Sequence, residues 1–126
     1  MDLIIGGRQS GRTTKLIQEC AAHKGSVIVC ATTHMCDYVQ YMAREMDLEI
    51  EKPISFQYFC QHREIGHKNK TYAGFYFDNL DICLQVAAGD TPVYAATTEL
   101  SNTEILPGMW SKENPHLTKE GSDGYC

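Results

Sequence analysis

What the chain lacks narrows it first. Basic residues are outnumbered, 11 Lys and Arg against 16 Asp and Glu, for a formal net charge of −5. Nucleic acid is therefore not held by general positive charge, and such a partner would need a local patch. No apolar run approaches the ~20 residues of a membrane span. The opening Met1-Asp2-Leu3-Ile4-Ile5 has no basic stretch and passes after three apolar residues into glycines, which is not the pattern of a signal peptide. A cytoplasmic location and no membrane partner are the expectations. No disulfide framework is evident either: Cys20, Cys30, Cys36, Cys60, Cys83 and Cys126 are scattered through apparent strands and helices rather than loops, which suits reduced thiols. There is no internal repeat and no low-complexity segment. With 126 residues, 43% of them hydrophobic, the chain fits one compact domain with a real core and leaves no room for a second.

What is present is concentrated at residues 3–14, L-I-I-G-G-R-Q-S-G-R-T-T. An apolar strand runs into G-x-x-x-x-G-R-T and then into a helical pattern, the grammar of a phosphate-binding loop. Polyphosphate needs backbone N–H groups free of Cβ obstruction and the positive end of a helix beneath it. Gly6, Gly7 and Gly11 supply the first, Arg8, Gln9, Ser10, Arg12, Thr13 and Thr14 complete the cradle, and Leu16, Ile17, Cys20 and Ala21 mark the buried stripe of the helix, with Gly25 as its stop. Arg12 stands where such loops carry lysine. The charge is kept, but a planar fork replaces a compact ammonium.

Further along, residues 26–31 (S-V-I-V-C-A) read as a strand buried on both faces, and Tyr38, Val39, Met42, Ala43 and Met46 recur at helical spacing. Residues 54–56 suggest a short strand before a small helix carrying Phe59 and Cys60. His62, Arg63, His67, Lys68 and Lys70 fall in a polar loop. Residues 72–77 form an aromatic strand ending in Asp78, followed by a helix through Leu80, Ile82, Cys83, Val86 and Ala87 to Gly89. Residues 92–98 (P-V-Y-A-A-T-T) read as the last strand, and residues 102–126 as an irregular arm beyond a domain at 1–101. Strands alternating with helices predict an α/β fold, a three-layer sandwich around a mainly parallel sheet of about five strands, whose ligands bind beyond the carboxyl ends of the strands.

G-F-Y-F-D at residues 74–78 places an acid at such an end, where a magnesium ion on a phosphate needs it. Thr13 and Asp78 are the candidate metal ligands, Thr13 directly and Asp78 either directly or through water, although Asp78 or Asn79 also fits the N-cap of the next helix. Together the motifs resemble the P-loop NTPase core of helicases, RecA-like ATPases and phage terminase motors. G-G-R-Q-S-G-R-T-T resembles their first motif, F-Y-F-D-N their second, and A-A-T-T at residues 95–98 the strand that senses the γ-phosphate. The resemblance spans residues 1–101. It implies ATP with Mg²⁺, with Thr98 near the nucleotide, and a phage origin with residence in the host cytoplasm. Where the family has Asp-Glu, this chain has Asp78-Asn79. An amide orients water without taking its proton, so general-base help of ~10²–10⁴-fold is lost unless Asp81 or Glu99 reaches in. Asn79 and Glu99 are the candidate catalytic positions.

The expected function is a small ATP-binding protein with weak or absent hydrolysis, acting as a switch or as an oligomer subunit, since helicases and terminases need a second domain or a neighbouring subunit to supply an arginine finger and 126 residues contain neither. The alternative is an interaction or inhibitor protein on a scaffold that no longer binds nucleotide, meeting a protein partner or nucleic acid through the loop at 63–70 or the arm around Trp110. A nucleoside kinase fits less well because no acceptor-binding segment or lid is evident. Zinc at Cys30, His34 and Cys36, or at Cys60, His62 and His67, matches no strong ligand template.

Overall fold

The computed structural model describes residues 1–7, 10–62, 72–98 and 102–107. These form an α/β structure of short parallel strands and four helices in two compact units, Met1–Arg12 with Ala96–Cys126, and Thr13–Ala95.

The larger unit is organised around β2 (Val27–Cys30), in which every residue is buried. It is the middle strand of a parallel sheet, with β3 (Ile54–Ser55) on one side and β4 (Phe75–Phe77) on the other. Val29 is opposite Ile54 and Cys30 opposite Ser55; across the other edge Val27, Ile28 and Val29 face Phe75, Tyr76 and Phe77. A strand with neighbours on both edges and cover on both faces has no solvated side, which is why V-I-V-C is continuous rather than alternating.

Helices supply the cover. α1 (Arg12–Ala22) buries Leu16, Ile17 and Cys20, spaced along one stripe, and the turn after it includes Gly25 at φ +88°. α2 (Thr33–Glu45) buries Cys36, Val39 and Ala43. Thr32 opens it, its hydroxyl accepting from the Met35 N–H at 3.2 Å and so satisfying one of the helix's free donors. Ser55 does the same for the short α3 (Phe56–Gln61). Phe59 of that helix sits edge-on to Phe75 and Phe77, ring centres 5.0 and 5.1 Å away. α4 (Leu80–Ala88) buries Cys83 and stops at Gly89, φ +68°.

In the smaller unit, β1 (Asp2–Ile5) pairs in parallel with β5 (Asn102–Ile105), Asp2 opposite Asn102 through Ile5 opposite Ile105. The Leu106 N–H continues the ladder to the Ile5 carbonyl at 2.6 Å.

The structure corrects three expectations. Among the described residues five strands are present, but in sheets of two and three rather than one sheet of five. Residues 92–98 are irregular and exposed, not a strand. Pro92 offers no N–H, and the Gln85 side chain engages the approach to the segment: its Nε2 donates to the Thr91 carbonyl at 2.9 Å, and its Oε1 accepts from the Val93 N–H at 3.0 Å. The fifth strand instead lies at Asn102–Ile105, where an irregular arm was expected; its N-T-E-I sequence has a single large apolar residue, and backbone pairing to β1 makes it a strand. The loop at 63–70, and Trp110 with the rest of the arm at 108–126, lie outside the described residues. Among the described residues no helix is long and apolar enough to cross a membrane.

Candidate functional site

Thr13 and Asp78 are 65 residues apart in sequence and meet in the larger unit. The Thr13 hydroxyl lies 3.1 Å from one Asp78 carboxylate oxygen and 3.3 Å from the other. Each residue reaches this point by a different route. Thr13 is the second residue of α1, so its side chain stands at the helix's positive end. Asp78 follows β4, and its N–H donates to the Val29 carbonyl at 2.9 Å, extending the β2–β4 ladder one residue beyond the last paired strand position. The backbone of Asp78 is therefore fixed by the sheet, and the residue is buried, with an exposure of 8%. Beneath it the Cys83 thiol points at the Asp78 carbonyl, 3.7 Å away. Burial, with the Asp78 and Asp81 charges, pushes that thiol up to about 11.

Asn79 comes next, in the left-handed region at φ 59°, ψ 64°. It occupies the N-cap position of α4, yet its side chain makes no capping hydrogen bond. Of the two sequence readings for the cap, position goes to Asn79, and its amide is not used for capping. Left-handed backbone costs an ordinary residue roughly 1–2 kcal/mol and costs asparagine less. Asp81 lies in the first turn of α4 and is exposed.

The glycine-rich segment belongs to the smaller unit up to Arg12. Its curl is set locally: the Ser10 N–H donates to the Gly7 carbonyl at 3.3 Å. A Cβ on Gly6 would collide with the Ser10 hydroxyl and come within 2.9 Å of Ser10 Cβ and 3.2 Å of Leu106 Cβ. Gly11 stands at φ +88° in open space, so conformation and not crowding requires glycine there. The Ser10 hydroxyl is buried and has no hydrogen-bond partner among the described residues. A buried donor left without a partner costs about 1–3 kcal/mol, a cost that an anion at this turn would remove.

Of the residues singled out in the sequence, Thr13 and Asp78 are brought together, Asn79 directly follows Asp78 as the N-cap of α4, and Arg12, Thr13 and Thr14 open α1. Thr98 is exposed in the irregular segment. Arg8, Gln9 and Glu99 lie outside the described residues. Cys83 was missed as a support for Asp78; in sequence it is one of several apolar positions of α4, and nothing there distinguishes it.

Compared with protein-family models, curated proteins and solved structures, the chain gives no significant match.

Proposed function

We propose that this protein is a small P-loop-type nucleotide-binding protein that takes ATP with Mg²⁺ and hydrolyses it slowly or not at all, working as a switch or as one subunit of an oligomer. The observation that carries the reading is the Thr13–Asp78 contact. A hydroxyl at the start of a helix and a buried carboxylate at the end of a strand are the donor types a magnesium ion takes from protein while it keeps its phosphate oxygens and waters. Two further features support it. The Ser10 hydroxyl is a buried donor without a partner among the described residues. The backbone at Gly11 faces open space, as a cradle for phosphate needs.

In this reading Thr13 and Asp78 hold the ion, which would neutralise charge on the β- and γ-phosphates. Arg12 pairs with phosphate through its guanidinium. Asn79, with its amide not engaged in capping, orients a water without accepting a proton. A long-lived triphosphate state follows, suited to holding a partner surface in one arrangement. A P-loop type of α/β fold belongs to the same proposal.

Titration calorimetry with ATP tests it. Binding is expected with Mg²⁺, weakened by Arg12→Ala, and stripped of its Mg²⁺ dependence by Asp78→Asn, which preserves volume. Asn79→Glu should raise single-turnover hydrolysis by ~10²-fold or more by restoring a base. Absence of heat with the wild-type chain would overturn the proposal and leave the interaction-protein reading; hydrolysis at a motor's rate would overturn the switch.

A further inference from the structure

The longer helices of the larger unit are of two kinds. α1 and α2 each bury three residues along one stripe. α4 buries only Cys83, although Asp81 and Gln85 are the only polar residues among its nine. Leu80, Ile82, Leu84 and Val86 are left 36–43% exposed. A helix that is apolar all round belongs in an interior, and this one has an interior on one side only.

The chain leaving α4 widens the same surface. Gln85, one of the helix's two polar residues, turns its amide onto that chain: Nε2 donates to the Gly89 and Thr91 carbonyls at 3.3 and 2.9 Å, and Oε1 accepts from the Val93 N–H at 3.0 Å. Residues 89–93 are thereby tied back to the helix before anything docks. Val93 is 43% exposed and Tyr94, which follows it, 91%. Asp81 and Asp90 are the only charged residues between Leu80 and Ala95, a span that lies wholly within the larger unit.

We propose that this surface, α4 with residues 89–94, is where a second copy of the chain docks to form a two-fold dimer. Area is the first argument. Five aliphatic residues at 36–43% exposure and Tyr94 at 91% add up to on the order of 500 Å² of mainly apolar surface, counting an aromatic residue at ~200 Å². A standard interface takes about 800 Å² from each partner, of which homodimers make about 65% apolar, or roughly 500 Å². The two figures agree. Charge is the second argument: with two acids and no base, the surface offers a foreign partner little to select by, whereas a two-fold axis needs only apolar area meeting its own copy. The same axis brings the acids of both copies to one interface without a counter-charge, so salt tightens the dimer by screening them. The surface supplies the contact for the oligomer proposed above, yet nucleotide plays no part in its test, and the two readings fail separately.

Sedimentation equilibrium of the full chain, in reducing buffer without nucleotide, is the experiment. The mass should rise from 14.2 kDa toward twice that value as concentration reaches the high-micromolar range, and more steeply in high salt than in low. Val86→Asp and Tyr94→Ala should each weaken dimerisation by about tenfold or more. Tyr38→Ala, which alters an exposed tyrosine on α2, should leave it unchanged. Tyr94 stands outside every helix and strand, so its variant decides even where Val86→Asp does not fold. A chain that stays monomeric throughout overturns the proposal, and if Val86→Asp also lowers the stability of that monomer, the face is covered by the chain itself. A dimer that survives Tyr94→Ala and Val86→Asp overturns it as well, by placing the contact elsewhere.

Discussion

Residues 27–30 and residues 92–98 are both short runs of β-branched and small apolar residues, V-I-V-C and P-V-Y-A-A-T-T, and both read as strands. In the folded chain the first is buried throughout and hydrogen-bonded on both edges, while the second is irregular, with Tyr94 91% exposed. Composition does not separate them. What does is that β2 has strand partners on either side and helices with apolar stripes next to it in sequence, whereas the approach to the second run begins at a proline and is held by Gln85. Strand propensity is a preference for a half-buried pleated surface, and it becomes a strand only where such a surface exists.

The largest effect expected from this contrast is on stability. Ile28, fully buried in β2, should cost about 2–5 kcal/mol when cut to alanine, a large part of the 5–15 kcal/mol that holds a domain of this size. Tyr94→Ala should change stability by no more than about 0.5 kcal/mol. Urea unfolding of the two variants measures both. A Tyr94→Ala cost comparable to that of Ile28→Ala would break the comparison by showing residues 92–98 packed in solution.

Which features could be read from sequence follows the same line. Where burial decides structure, the apolar spacing reported it: Leu16, Ile17 and Cys20 on α1, Val39 and Ala43 on α2 and the whole of β2 were all legible. So was the meeting of Thr13 with Asp78, because a residue opening a helix after one strand and a residue just past the end of another are expected at the same edge of a parallel sheet. β5 was not legible, since backbone pairing to β1 leaves no trace in N-T-E-I. Nor was the conformation of Asn79 or the support of Asp78 by Cys83; one is a dihedral angle, the other a contact inside a helix stripe.

A second prediction extends the contrast to pH. Cys83 is on the buried side of it, its thiol raised from an ordinary 9.0 to about 11 by burial and by Asp78 and Asp81. Because the folded state favours the neutral thiol more than the unfolded state does, the contribution is fully present below about pH 9 and is lost as pH rises through about 11. The loss is of order 2–3 kcal/mol. Unfolding midpoints across this range should fall, and Cys83→Ala should flatten the fall while lowering stability at neutral pH. A wild-type profile flat to pH 11 would place Cys83 in water.

Gly11 sharpens the comparison at a point where burial plays no part. At φ +88° with open space around its Cα, alanine would meet no atom but would be held in a conformation costing roughly 1–2 kcal/mol. Gly6→Ala differs in kind, since its methyl would have to displace Ser10. Urea unfolding should therefore show a moderate loss for Gly11→Ala, while the Ser10 geometry and any anion held there suffer mainly from Gly6→Ala. Equal behaviour of the two in both assays would mean that the turn is set by neither cause.

The smallest expected effect is at Asn79, and it separates backbone from side chain. Its amide does not cap α4, so removing it costs no hydrogen bond there, while its left-handed φ of 59° is a conformation that glycine adopts freely. Asn79→Gly should then leave stability unchanged or raise it by up to about 0.5 kcal/mol, whereas Asn79→Ala, with the same side chain removed but a Cβ retained, should lower it by about 1 kcal/mol. The sign of the difference is what matters: a residue in helical or extended backbone would rank alanine above glycine. If denaturation gives that opposite order, Asn79 does not turn left-handed after Asp78, and the proposal that its amide orients a water loses its backbone basis.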